Sequence, residues 1–151
     1  MKERPDIVRQ KTVLLVDDEQ GFLEALADAL EYEGYKVLKA TTAEDALRVL
    51  ASSQIDLASV DIMIPPGPSL ESETSSQKAG IWLCQKITKT YPNLNVFCLS
   101  VVSDVTIIRQ LESYGVKFLR KGETPLRTVL NMMRSRLTGI AYSTDPNVGR
   151  R

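Results

Sequence analysis

The sequence predicts an α/β protein built on one five-stranded parallel sheet with helices on both faces. Short apolar runs alternate five times with stretches of helical periodicity, the order that parallel sheets require. The first run, Val13-Leu14-Leu15-Val16, is apolar enough to be buried on both sides. A length of 151 residues suits one domain with a substantial core.

Each element has its own signal. Residues 12–17 read as the first strand. Phe22, Leu23, Leu26, Ala29 and Leu30 recur at helical spacing across 19–33, and Gly34 closes that helix. Residues 35–40 read as the second strand. Thr42 then caps a helix with Glu44 and Asp45 in its first turn and Ala46, Leu47, Val49 and Leu50 along it. The third strand is expected over 55–60 and ends at Asp61. A stretch rich in Pro, Ser and Glu follows over 65–78, with Leu70 its one large apolar residue after the prolines, and reads as a loop. A helix resumes over 80–90 with Ile81, Trp82, Leu83 and Ile87, and the fourth strand is expected over 95–100. Val105, Ile107, Ile108 and Leu111 mark a helix over 104–113, and the fifth strand is expected over 116–119. The last helix is expected over 124–137, with Leu126, Val129, Leu130, Met133 and Leu137 inward. The domain therefore spans 11–137, between an N-terminal extension, 1–10, and a tail, 138–151, without sustained pattern.

Composition narrows the function. Nineteen basic and nineteen acidic residues give a formal net charge of zero, which argues against a broad electrostatic footprint for nucleic acid or an anionic membrane. No apolar run approaches a membrane span, and the charged N-terminus lacks signal-peptide character, so a cytoplasmic protein is expected. The chain has no histidine. Ser-His-Asp and Cys-His catalysis are thereby removed, and zinc is disfavoured. Cys84 and Cys98 read as reduced buried thiols, and Trp82 as helix packing.

In a doubly wound sheet, sites form beyond the carboxyl ends of the strands. Asp17 and Asp18 end the first strand, Asp61 the third and Ser100 the fourth, while Lys121 follows the fifth. Adjacent carboxylates repel unless a cation compensates them. Three carboxylates offering hard oxygen suit Mg²⁺, and lysine and serine can hold phosphoryl oxygens. The group is suited to receive a phosphoryl group on Asp61.

In this pattern the chain resembles the receiver domain of two-component response regulators, over roughly residues 11–137. The resemblance rests on Asp17-Asp18, Asp61, Pro65 four positions on, Ser100 and Lys121, with Phe118 three before the lysine. It implies a flavodoxin-like (βα)5 fold and a role for each residue. Asp61 is the phosphoacceptor for a sensor histidine kinase or phosphotransfer protein. Asp17, Asp18, Asp61 and the backbone carbonyl of Met63 hold Mg²⁺, for which Mn²⁺ can substitute. Ser100 and Lys121 bind the phosphoryl group, and Ser100 and Phe118 form the switch. It further implies a downstream protein partner or output domain, no membrane and no evident nucleic acid contact. Pairing of two copies near the last helices is compatible with it, though nothing in the sequence forces it. No turnover on a separate substrate is expected, because Met63 stands where aspartyl-phosphate enzymes carry a second acid. A flavodoxin-type cofactor site is disfavoured by Asp-Asp-Glu after the first strand.

Three departures from the family pattern stand out. The loop after Asp61 is extended, around 66–78, so the matching glycine is Gly80, nineteen positions on. The segment could serve as a lid, a partner epitope or a tolerated insertion. Gly122 stands where the family has proline, so a different turn is expected to place Lys121. Val101, Val102 and Met63 give an apolar rim, which predicts poorly positioned attacking water and a long-lived phosphoryl state. The extended loop and Gly122 also motivate a second reading, a receiver-like protein-interaction module that works without phosphorylation.

Overall fold

The computed structural model describes residues 9–102 and 104–139. Five parallel strands form one sheet in the order β2-β1-β3-β4-β5: β1 Thr12–Val16, β2 Lys36–Ala40, β3 Leu57–Val60, β4 Asn95–Ser100 and β5 Lys117–Arg120. The helices are α1 Gln20–Tyr32, α2 Ala43–Ser52, α3 Ala79–Thr90, α4 Val105–Ser113 and α5 Leu126–Thr138. This is the flavodoxin-like (βα)5 arrangement, and its chain reversal places β1 beside β3.

Alternation along the strands builds two cores. Leu14, Val16, Ala58, Val60, Val96 and Cys98 face one side, under α2, α3 and Leu111 of α4. Val13, Leu15, Leu57, Phe97, Leu99 and Leu119 face the other, under Leu23, Leu26, Ala27 and Leu30 of α1 and Val129, Met133 and Leu137 of α5. Both faces of β1 are thus buried, as its unbroken apolar run requires.

Local signals explain most boundaries. Thr42 caps α2, its hydroxyl accepting the Asp45 amide at 3.0 Å. Asp104 caps α4, its carboxylate accepting the Thr106 amide at 2.8 Å. Gly34 follows α1 with φ at 98°, the left-handed conformation that ends helices. Strand β3 starts at Leu57 rather than residue 55, because Asp56 turns its carboxylate to the Thr12 amide, at 2.8 Å, and to Arg9.

Two expectations need correction. Leu126 is not inward: it opens α5 and is 37% exposed, and the buried positions of that helix begin only at Val129. The 65–78 stretch is not only loop. It contains one 3₁₀ turn, Pro68–Leu70, and its start is fastened to α2. The carbonyls of Pro65 and Pro66 accept the amides of Ala43 and Glu44 at 3.0 and 2.9 Å, satisfying two free donors of that helix. The Glu44 carboxylate in turn accepts the Ser69 amide at 2.9 Å and its hydroxyl at 3.1 Å. Leu70 packs against the α2–α3 core. Residues 1–8 of the expected extension and 140–151 of the expected tail lie outside the described residues.

Candidate functional site

The site follows from strand register. Val16 pairs with Val60, so the next residues, Asp17 and Asp61, emerge side by side. The ladder continues one step beyond the strands. The Asp61 amide donates to the Val16 carbonyl at 2.9 Å, and the Asp17 amide to the Ala40 carbonyl at 3.1 Å. On the other side Ser100 pairs with Arg120, and the Lys121 amide donates to the Ser100 carbonyl at 2.9 Å. Register alone therefore delivers two carboxylates and one ammonium to the same edge. One ligand atom from each of Asp17, Asp18 and Asp61 lies within 4.8 Å of the others, with Asp18 exposed and the other two buried.

Lys121 sits at the centre, 8% exposed. Its ammonium donates to Asp17 Oδ2 at 2.7 Å, Asp61 Oδ2 at 2.9 Å and Glu19 Oε1 at 3.0 Å, which uses all three donors. The Phe22 ring lies 5.1 Å from the same nitrogen. Burial pulls the Lys121 pKa down, but the hydrogen bonds to Asp17, Asp61 and Glu19 outweigh it and leave it raised. The turn that places Lys121 uses Gly122 at φ 88°, with the Thr124 amide closing on the Arg120 carbonyl at 2.9 Å. A glycine turn thus sets the lysine on Asp61 as expected.

Burial raises the Asp17 carboxyl above its ordinary value; hydrogen bonds from Lys121 and from the Glu19 amide, at 2.8 Å, oppose this without overcoming it. Relative to the unfolded chain, the fold therefore makes Asp17 harder to ionise. Its contribution to stability is complete below the unfolded value of 3.8 and is lost as pH rises through the raised folded value. Metal-free Asp17→Asn is accordingly expected to outlast the wild type in urea at about pH 7, with the gap closing toward about pH 4. Urea midpoints across that range check it; a wild type that is more stable at neutral pH contradicts it.

Ser100 is fully buried, and its hydroxyl accepts the Val102 amide at 3.3 Å. Phe118 pairs with Cys98 and is half-buried against the α2–α3–α4 core. The Met63 amide approaches Asp61 Oδ1 at 3.4 Å, and its side chain is 48% exposed. Val101 is 65% exposed, so Met63 and Val101 do present apolar surface at the rim. Cys84 and Cys98 are both fully buried. The neighbouring Cys84 and burial together hold the Cys98 thiol well above its ordinary pKa, as suits an inert core thiol.

One residue that sequence reasoning passed over is Glu19. It is the third acid of the Asp-Asp-Glu run and the N-cap of α1, but its side chain makes no cap bond and reaches Lys121 instead. The run itself was the available signal.

The donor set fits a divalent cation: three carboxylates, two of them buried, gathered at one point. Among the described residues no helix is long and apolar enough to cross a membrane.

Residues 13–131 match the response regulator receiver domain family. The response regulator SaeR of Staphylococcus aureus (strain USA300) is 34% identical over 94 residues, which are 61% of this chain and 41% of SaeR. The chain thus spans less than half the length of the curated relatives it matches. A CheY-like receiver domain protein from Methanospirillum hungatei JF-1 superposes with a TM-score of 0.73 at 23% identity, covering 85% of this chain and 94% of that one. A response regulator from Burkholderia pseudomallei, solved with a phosphorylated aspartic acid, calcium ion and citrate, gives 0.66 at 20% identity, covering 85% and 66%. These solved structures share the fold.

Proposed function

The chain belongs to the response regulator receiver domain family, and from that premise we propose that Asp61 is its phosphoacceptor. Receiver domains serve two-component signalling as phosphoacceptors, so the question is which carboxylate accepts. The observation that carries the assignment is Lys121, whose ammonium bridges Asp61 and Asp17 at 2.9 and 2.7 Å within the three-carboxylate cluster.

In the proposed reaction a sensor histidine kinase or phosphotransfer protein presents a phosphohistidine. Its phosphorus–nitrogen bond breaks, a phosphorus–oxygen bond forms to the Asp61 carboxylate, and the imidazole keeps the electron pair and takes a proton from solvent. The carboxylates of Asp17, Asp18 and Asp61 and the Met63 carbonyl would hold Mg²⁺ or Mn²⁺, which supplies neutralising charge between carboxylate and phosphoryl oxygens. The calcium ion and phosphorylated aspartic acid of the Burkholderia protein support this reading. Lys121 exchanges a carboxylate for a phosphoryl oxygen, the Ser100 hydroxyl leaves the Val102 amide to do the same, and Phe118 follows into the space beside it. A downstream partner or output domain reads that change. The protein turns over no separate substrate, acts in the cytoplasm, and its domain comprises residues 11–137.

Beryllofluoride, a phosphoryl mimic, tests the assignment. With Mg²⁺ it should raise the melting temperature of the wild type, since it binds only the folded site, and leave Asp61→Asn unchanged. No rise in the wild type favours the phosphorylation-independent interaction module. The exposed Met63 and Val101 further predict that the phosphoprotein, once formed, decays over many minutes or hours. A lifetime of seconds, unchanged in Val101→Thr, contradicts the rim argument.

A further inference from the structure

The backbone between Asp61 and Pro66 is pinned on both sides of Met63. Before it, the Asp61 amide donates to the Val16 carbonyl at 2.9 Å, and the Ile62 carbonyl accepts the Gly80 amide at 2.8 Å. After it, the Pro65 and Pro66 carbonyls accept the first two amides of α2, those of Ala43 and Glu44, at 3.0 and 2.9 Å. Ile62 and Ile64, on either side of Met63, are buried. These pins set the direction of the Met63 carbonyl. The pins on α2 also carry a load, because residues 67–78 run on from them before α3 begins. A loop of that length, left free at its root, would pass its motion back to Met63, and ordering it would weaken whatever binds there.

Glu44 fastens that root. Its carboxylate accepts the Ser69 amide at 2.9 Å and the Ser69 hydroxyl at 3.1 Å, while Arg48 donates to the same carboxylate at 3.2 Å. The chain crosses Glu44 at Gly67, where φ is 97° and a Cβ would lie 2.6 Å from the Glu44 Cβ. Leu70 then anchors the 3₁₀ turn in the α2–α3 core. Glu44 therefore grips the segment twice, through its amide at Pro66 and through its carboxylate at Ser69. We propose that Glu44 is a positioning residue for the cation site: by holding Ser69 it keeps the Met63 carbonyl in place and isolates it from the rest of the insertion. The inference rests on the metal-binding role proposed above for Met63. Glu44 does not act as a ligand, since its carboxylate is turned to Ser69 and Arg48, and the carboxylates gathered at the site are those of Asp17, Asp18 and Asp61. It acts through the loop, as the outer partners of metal ligands do.

The test is calorimetric titration of the 151-residue chain with Mg²⁺, together with amide hydrogen exchange of the metal-free protein, for the wild type, Glu44→Ala, Glu44→Gln and Ser69→Ala. Without metal, Glu44→Ala should speed exchange of the Ala43 and Ser69 amides, because the clamp is open. Its Kd for Mg²⁺ should rise about three- to thirtyfold. Glu44→Gln loses the charge but keeps an oxygen that accepts from Ser69, so it should bind Mg²⁺ nearly as the wild type does. Ser69→Ala should weaken Mg²⁺ in the same direction, and adding it to Glu44→Ala should weaken it no further, since both changes remove one contact. A Glu44→Ala protein that binds Mg²⁺ as tightly as the wild type, whatever its stability in urea, overturns the proposal. So does a Glu44→Gln protein as weak as Glu44→Ala, which would make the effect one of charge, and so does unchanged amide exchange. If the wild type binds Mg²⁺ and beryllofluoride and the variants match it, this inference alone fails; if the wild type binds neither, the phosphoacceptor assignment fails with it.

Discussion

Gly80→Ala should destabilise the protein by about 3 kcal/mol or more and disable the site with it. A Cβ at position 80 would lie 2.0 Å from the Asp61 carbonyl oxygen, 2.4 Å from the Ile62 Cα and 2.6 Å from the Ile62 carbonyl oxygen. All three are backbone atoms, so no side chain can turn aside to make room. The Gly80 amide also donates to the Ile62 carbonyl at 2.8 Å, which ties the start of α3 to the end of β3. Pushing α3 away breaks that bond and moves the peptide that carries Asp61. Urea unfolding of the variant measures the loss, and the beryllofluoride response measures the site. A loss below about 1 kcal/mol would mean that α3 shifts freely, and that the glycine is not what positions Asp61.

Lys121→Met should separate two properties that coincide in the wild type. Lys121 holds oxygens of Asp17 and Asp61, two of the three carboxylates offered to the cation. Removing its charge deepens the negative potential there, so Mg²⁺ should bind at least about tenfold more tightly. The phosphoryl mimic loses a charge-assisted donor of the kind that contributes about 1.5–3 kcal/mol, so beryllofluoride at saturating Mg²⁺ should bind about ten- to a hundredfold more weakly. The variant should also be less stable without metal, because two buried carboxylates keep no cationic partner. Calorimetric titration of both ligands reads the two effects separately. Mg²⁺ and beryllofluoride affinities that fall together would show that the lysine maintains the shape of the site rather than balancing its charge.

Much of this was legible in the chain. Short apolar runs and helical spacing identified the five strands and five α-helices, and the strand ends pointed to Asp17, Asp61, Ser100 and Lys121 as candidates, because a parallel sheet gathers the carboxyl ends of its strands along one edge. What escaped depended on contacts between distant residues. The docking of 65–70 on α2 turns on Glu44 accepting from Ser69, and nothing in a Pro- and Ser-rich stretch announces a partner so far back in the chain. Glu19 looked like an extension of the acidic pair, whereas its role depends on Lys121, more than one hundred residues later. Leu126 fits the helical pattern of α5, yet the pattern does not say where the helix begins to overlie the sheet. The Cβ clash at Gly80 shows why a glycine is needed there, whatever the loop length before it.

The most direct measurement is the intact mass of the chain after incubation with Mg²⁺ and acetyl phosphate, for the wild type and for Asp61→Asn. One added phosphoryl group is expected on the wild type, none on the variant, and no addition to either when a chelator removes the metal. An added group that persists on Asp61→Asn, or a wild type that gains none, contradicts that expectation.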